Sequence, residues 1–185
     1  MVLYIMEYRG YELKPFECES NPEIKRYIES SVLDGCAQLE DSIVSRPDEP
    51  IKEVIDDQSL YQTDRLFNSV PYRKMDLDTL RFGINNVFQD PASVEVLAKH
   101  HDPARVLAYM AFNDIIRDNL TYNVPQIVQN IISQNSEIDV SKKDMNDYFV
   151  SNQEGIKRSI EEGMSLNDIC SSVLDEIRGP SRSDR

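Results

Sequence analysis

The sequence predicts a mainly α protein, an irregular helical bundle with a short N-terminal β-hairpin. Three observations predict it. Apolar residues recur at helical spacing along most of the chain after residue 22. Helix start signals, a side-chain acceptor followed by proline, recur at Asn21-Pro22, Asp90-Pro91 and Asp102-Pro103. Glycine is scarce, at six residues, so tight turns and phosphate-cradling loops are few. An α+β fold with a small sheet is the alternative reading.

The hairpin is expected over about residues 1–17. Val2, Tyr4, Met6 and Tyr8 alternate with Leu3, Ile5 and Glu7, and Tyr11 and Leu13 resume after Arg9-Gly10. Strand-forming residues around an X-Gly pair are a hairpin signal. A lone hairpin is only marginally stable, so it is expected to pack on helices.

The helical part follows in about nine pieces. Ile24, Tyr27, Ile28, Val32 and Leu33 open the first, and Leu39, Ile43 and Val44 carry it toward Pro47. Gly35 either ends this helix or is tolerated inside it. A loop, RPDEP, spans 46–50. Ile51, Val54 and Ile55 form a short stripe, and Leu60, Leu66 and Phe67 suggest a separate piece that closes at Val70-Pro71. Asp76 or Asp78 caps a helix bearing Leu80, Ile84, Val87 and Phe88. From Val106 to Ile116 the chain is apolar nearly all round, which marks a buried central helix. Val124, Ile127, Val128, Ile131 and Ile132 predict a further core helix starting near Pro125.

Ser141 with Asp144, and Ser165 with Asp168, are spaced as N-terminal caps of the last helices. Gly163 and Gly179 are placed to end them. Residues 1–179 therefore read as a single domain, and 180–185 as a flexible tail. Residues 156–177 resemble the first half of a helix-turn-helix, but Asp175 and Glu176 stand where a basic recognition helix would follow. A plain helical hairpin accounts for them better.

Charge narrows the function classes. The net charge is −13. Residues 40–60 carry seven acids against two bases, whereas residues 61–135 carry eight against seven. Direct binding to nucleic acid is disfavoured, because that affinity depends on Lys and Arg. Anionic membranes are disfavoured for the same reason. A protein with a basic surface is the expected partner, and a second copy of the chain is another candidate. Cys18, Cys36 and Cys170 are odd in number and widely spaced, which predicts free thiols and a reducing cytoplasm.

Catalytic motifs are few. GxSxG, CxxC, GxGxxG and a Walker loop are absent. The acidic pairs Glu40-Asp41, Asp56-Asp57 and Glu161-Glu162 are sequence neighbours, which diverge on a helix and do not face each other as glycosidase carboxylates must. His100-His101-Asp102 resembles in outline the His-Asp pair of the HD-domain phosphohydrolases. That resemblance implies a metal-dependent hydrolase and covers these residues only. The family needs another histidine upstream and another aspartate downstream, and this chain has no third histidine. Histidines at a helix end with Asp102 capping the next helix explain the triplet without chemistry. No cofactor and no metal site is expected.

The leading expectation is a non-enzymatic binding or regulatory protein that docks on a basic surface. Its candidate contact residues are Asp48, Glu49, Glu53, Asp56 and Asp57, with Tyr61 and Phe67 as aromatic anchors and Tyr4, Tyr8 and Tyr11 of the hairpin as further ones. In size and composition the chain is similar to small phage or plasmid proteins that block restriction or CRISPR complexes. That likeness implies an inhibitory nucleic-acid mimic as the alternative.

Overall fold

The structure is a computed structural model, and it describes residues 2–14, 16–18, 22–68, 103–135 and 140–179. The proposed caps at Asn21 and Asp90, the helix around Leu80–Phe88, the Val70-Pro71 stop, the His100-His101-Asp102 triplet and the tail at 180–185 lie outside the described residues. The rest is mainly α, with a small antiparallel hairpin at the N-terminus.

The hairpin has four short strands, β1 (Val2–Tyr4), β2 (Glu7–Tyr8), β3 (Tyr11–Glu12) and β4 (Phe16–Cys18). Arg9 and Gly10 both have positive φ, 49° and 83°, as a two-residue type I′ turn requires. Tyr8 faces Tyr11 across this turn, and their rings meet edge-on at 5.7 Å. Farther out, Tyr4 pairs with Phe16. Three steps on the outgoing strand thus face four on the return strand, which is a one-residue bulge. Beside it the Leu13 N–H donates to the Met6 carbonyl at 2.9 Å. Met6 and Leu13 are buried, so the hairpin packs on the helices through them.

Five helices follow among the described residues: α1 (Pro22–Ser45), α2 (Ile51–Phe67), α3 (Pro103–Gln134), α4 (Lys142–Glu161) and α5 (Leu166–Arg178). Two breaks expected from the sequence do not occur, and the open reading at Gly35 resolves to an unbroken helix. Gly35 sits inside α1, where a Cβ would lie 3.1 Å from Leu120 Cδ2 and 3.4 Å from Gln62 Cγ. Glycine is there because three helices approach closely at that point. Residues 51–67 form one helix, α2, and not two pieces. Pro125 lies inside α3 and does not start a new helix. Proline removes one ladder bond. However, Leu120, Val124, Ile127 and Val128 are all buried on a continuous stripe through it, and a break there would open the core.

Neighbour contacts set the directions. Gln58 and Gln62 of α2 bond Gln38 of α1, and Arg65 reaches Asp34, so α1 and α2 run antiparallel. Asp56 pairs with Arg117, Ser59 bonds Asn113, and Phe67 stacks edge-on with Tyr109, so α2 and α3 are antiparallel as well. α4 packs on α3, and α5 on α4.

The last helices start as their sequence signals predict. Ser141 accepts from the Asp144 N–H at 3.1 Å. Ser165 and Asp168 form a full capping box: the Ser165 hydroxyl accepts from the Asp168 N–H, and the Asp168 carboxylate accepts from the Ser165 N–H at 3.1 Å. Those contacts, the Ser165 N–H first, hold the Asp168 carboxyl below its ordinary range. Ser165→Ala is expected to lower stability by about 1 kcal/mol in urea denaturation. Because the Asp168 pKa is lowered on folding, its contribution is present above the ordinary carboxylate pKa. It fades as pH falls through the lowered one, so the wild-type advantage should shrink in acid. Gly163 and Gly179, with φ of 91° and 70°, stand at the ends of α4 and α5.

Candidate functional site

α2 divides cleanly into two faces. Ile51, Val54, Ile55, Gln58, Gln62 and Leu66 are buried. Glu53, Asp57, Leu60 and Asp64 recur at steps of three and four on the opposite side, with Tyr61 beside them, and all five are exposed. Leu60 is 46% and Tyr61 51% exposed. Arg65 stands over the Tyr61 ring, 5.9 Å from its centroid. The outward surface of α2 is therefore an apolar pair set among carboxylates.

The structure brings some of the expected contact residues together and separates others. Glu53, Asp57 and Tyr61 share the outward face. Asp57 also accepts from Arg46 at 2.9 Å, and Arg46 bridges to Glu49, which holds the Glu49 carboxyl below its ordinary range. Asp56 turns toward α3 and pairs with Arg117 at 2.9 Å. It lines a shallow groove of about 240 Å³ with Lys52, Asp118, Thr121 and Glu161. Asp48 accepts from the Asn167 side chain at 2.7 Å, on the first turn of α5. Phe67 is half-buried against Tyr109 and the core. Of the hairpin tyrosines, Tyr8 and Tyr11 are half-buried and pack against the core.

Leu60 and Asp64 complete the face, and neither was among the residues expected there. Leu60 reads as core from composition alone. The signal that places it outside is the spacing 53, 57, 60, 64, which puts it in line with acids and not with Ile51, Val54 and Ile55.

A backbone junction adds more charge at one end of the bundle. The Pro50–Ser165 bridge, the Ile51 N–H to Met164 carbonyl bond and the Asn167 N–H to Pro47 carbonyl bond, both 3.1 Å, tie the loop before α2 to the turn before α5. The junction thus joins the segment that carries Asp48 and Glu49 to the one that carries Glu161, Glu162 and Asp168. Arg46, Lys52 and Arg158 offset only part of this.

A second polar cluster lies beneath the hairpin tip. Arg9 pairs with Glu40 at 2.8 Å, and the Tyr8 hydroxyl donates to Glu40 at 3.4 Å. Cys36, one turn before Glu40, is fully buried, and burial pushes its thiol pKa up to about 12 although Asn123 hydrogen-bonds it. Such a thiol is protonated and unreactive at neutral pH.

Among the described residues no group of three His, Cys, Asp or Glu is placed to hold a metal ion. None of the described helices is long and apolar enough to cross a membrane. Compared with known protein families, curated proteins and solved structures, the chain matches none.

Proposed function

We propose that this protein is a non-enzymatic binding or regulatory protein that docks on a basic protein surface through the outward face of α2. One observation carries the reading: Leu60 and Tyr61 stand exposed on a stripe that also presents Glu53, Asp57 and Asp64. An aromatic anchor ringed by charge is the usual composition of a docking hot spot. The carboxylates steer a cationic partner in, and the apolar pair holds it. The free thiols Cys36 and Cys170 fit work in a reducing cytoplasm.

The test is capture of the partner from a lysate of the native host, followed by titration with salt. Tyr61→Ser is expected to weaken the captured complex about tenfold or more, as loss of a hot-spot aromatic does. Its melting temperature should fall only slightly, since the side chain is half-exposed and its ring contact with Arg65 lies at the surface. Glu53→Lys should slow association, and raising salt from about 0.05 to about 0.5 M should do the same to the wild type. A complex indifferent to both substitutions and to salt removes the reading.

A further inference from the structure

The geometry points to the N-terminal hairpin as a strap that releases from the α1–α3 seam as a unit, while the helical body stays folded. The proposal is independent of the docking face on α2.

Three features of the seam carry it. The first is what holds the hairpin down. Among its described side chains only Met6 and Leu13 are buried. Tyr8 and Tyr11 pack half-buried against the core, and the other attachments among the described residues are polar: Arg9 and Tyr8 on Glu40 of α1, and Lys14 on Asp118 of α3 at 2.7 Å. Arg9 is half-exposed while the Glu40 side chain is only 9% exposed, so a nearly buried carboxylate depends on a cation that water reaches.

The second is a set of buried polar atoms at and near this seam. Asn119 and Asn123 of α3 are buried, and each ties its amide N–H to the carbonyl four residues back, at 2.9 and 2.6 Å. That fixes the side-chain oxygens away from their own helix, and both are buried with no hydrogen-bond partner among the described residues. The Tyr11 hydroxyl is in the same condition. Tyr11 and Asn123 both adjoin Cys36, so the seam between hairpin and helices contains unmet polar atoms from both sides. A buried polar atom without a partner opposes the closed form, and water satisfies it on opening.

The third is the cost to the body. A two-stranded hairpin has no core of its own. The α1, α2 and α3 helices make their main contacts with one another, which is the condition for opening below the global unfolding limit.

Cys36 supplies the readout, because it is fully buried and lies close to Tyr11 of the strap. In a Cys18→Ser, Cys170→Ser background, labelling by an aromatic disulfide reagent reports Cys36 alone. Labelling under native conditions is expected to have a shallower urea dependence than global unfolding followed by circular dichroism. Arg9→Ala, which leaves Glu40 without its cation, should speed labelling about tenfold or more. Tyr11→Phe, which removes one unmet hydroxyl, should slow it about fivefold or more. Labelling with the full urea slope of global unfolding overturns the proposal. So does an Arg9→Ala rate equal to that of the parent, or a Tyr11→Phe rate equal to that of the parent.

Discussion

Gln38→Met is expected to lower the stability of the folded chain by about 2–4 kcal/mol, far more than its position suggests. Gln38 is only half-buried, but its side-chain oxygen accepts from Gln58 Nε2 at 3.0 Å and from Gln62 Nε2 at 3.1 Å. Gln62 is fully buried and Gln58 nearly so. Methionine matches glutamine in shape and fills the same space. What it removes is the acceptor, and two amide donors are then left in the interface between α1 and α2. Each unmet buried donor costs about 1–3 kcal/mol. The asymmetry gives a control. With Gln38, Gln58 and Gln62 all changed to methionine no donor is stranded, and stability should return to within about 1 kcal/mol of the parent. Urea denaturation of the single and triple variants measures both. A Gln38→Met cost below about 0.5 kcal/mol shows that water already serves these amides.

This polar layer also fixes how the first three helices meet. The apolar residues of α1, α2 and α3 are mostly Ile, Val and Leu, which tolerate sliding and repacking. The Gln38 fork, the Ser59 to Asn113 bond at 3.3 Å and the Asp56–Arg117 pair do not. They hold α2 in one rotational setting, and that setting turns Leu60 and Tyr61 outward. The buried amides and the docking face are therefore linked. A repacked triple-methionine variant could keep its stability and still present α2 less sharply, which the same partner titration would register.

Local rules account for what the sequence made legible. The Arg9-Gly10 turn, the Ser141 and Ser165 caps and the Gly163 and Gly179 stops each depend on a few adjacent residues. The mainly helical class depends on periodicity, which is also local. Tertiary packing decided the rest. Pro125 reads as a break, and Gly35 as either a stop or a tolerated position, because each weakens a helix by itself. They persist inside helices because burial of neighbouring side chains outweighs that local cost. The candidate site divided in the same way. Glu53, Asp57 and Tyr61 were identifiable as charged or aromatic residues in an acidic stretch. That Phe67 turns inward to Tyr109 and Asp56 to Arg117 depends on α3, more than thirty residues later in the chain. Asp48 meets Asn167 across 119 residues, a contact no window of sequence contains.

The tight meeting of helices at Gly35 supports the second large prediction, that Gly35→Val will destabilise the fold by about 2 kcal/mol. In isolation the helix gains from losing a glycine, by about 1 kcal/mol for alanine and less for a β-branched residue. The surroundings decide the sign. A single added carbon already lies 3.1 Å from Leu120 Cδ2 and 3.4 Å from Gln62 Cγ, and both side chains are fully buried. Valine adds two methyl groups beyond that carbon, and overpacking of a closed core costs about 1–3 kcal/mol. Gly35→Ala should then fall close to the parent, because the propensity gain and the tight contact oppose each other. Leu120→Ala alone should cost about 2–5 kcal/mol through the space it leaves. In the double variant the valine methyls enter part of that space, so the combined loss should be smaller than the two separate losses by about 1–2 kcal/mol. Additive losses in thermal or urea denaturation would mean that residue 35 and Leu120 do not share the contact, and that another constraint keeps glycine at the crossing of α1, α2 and α3.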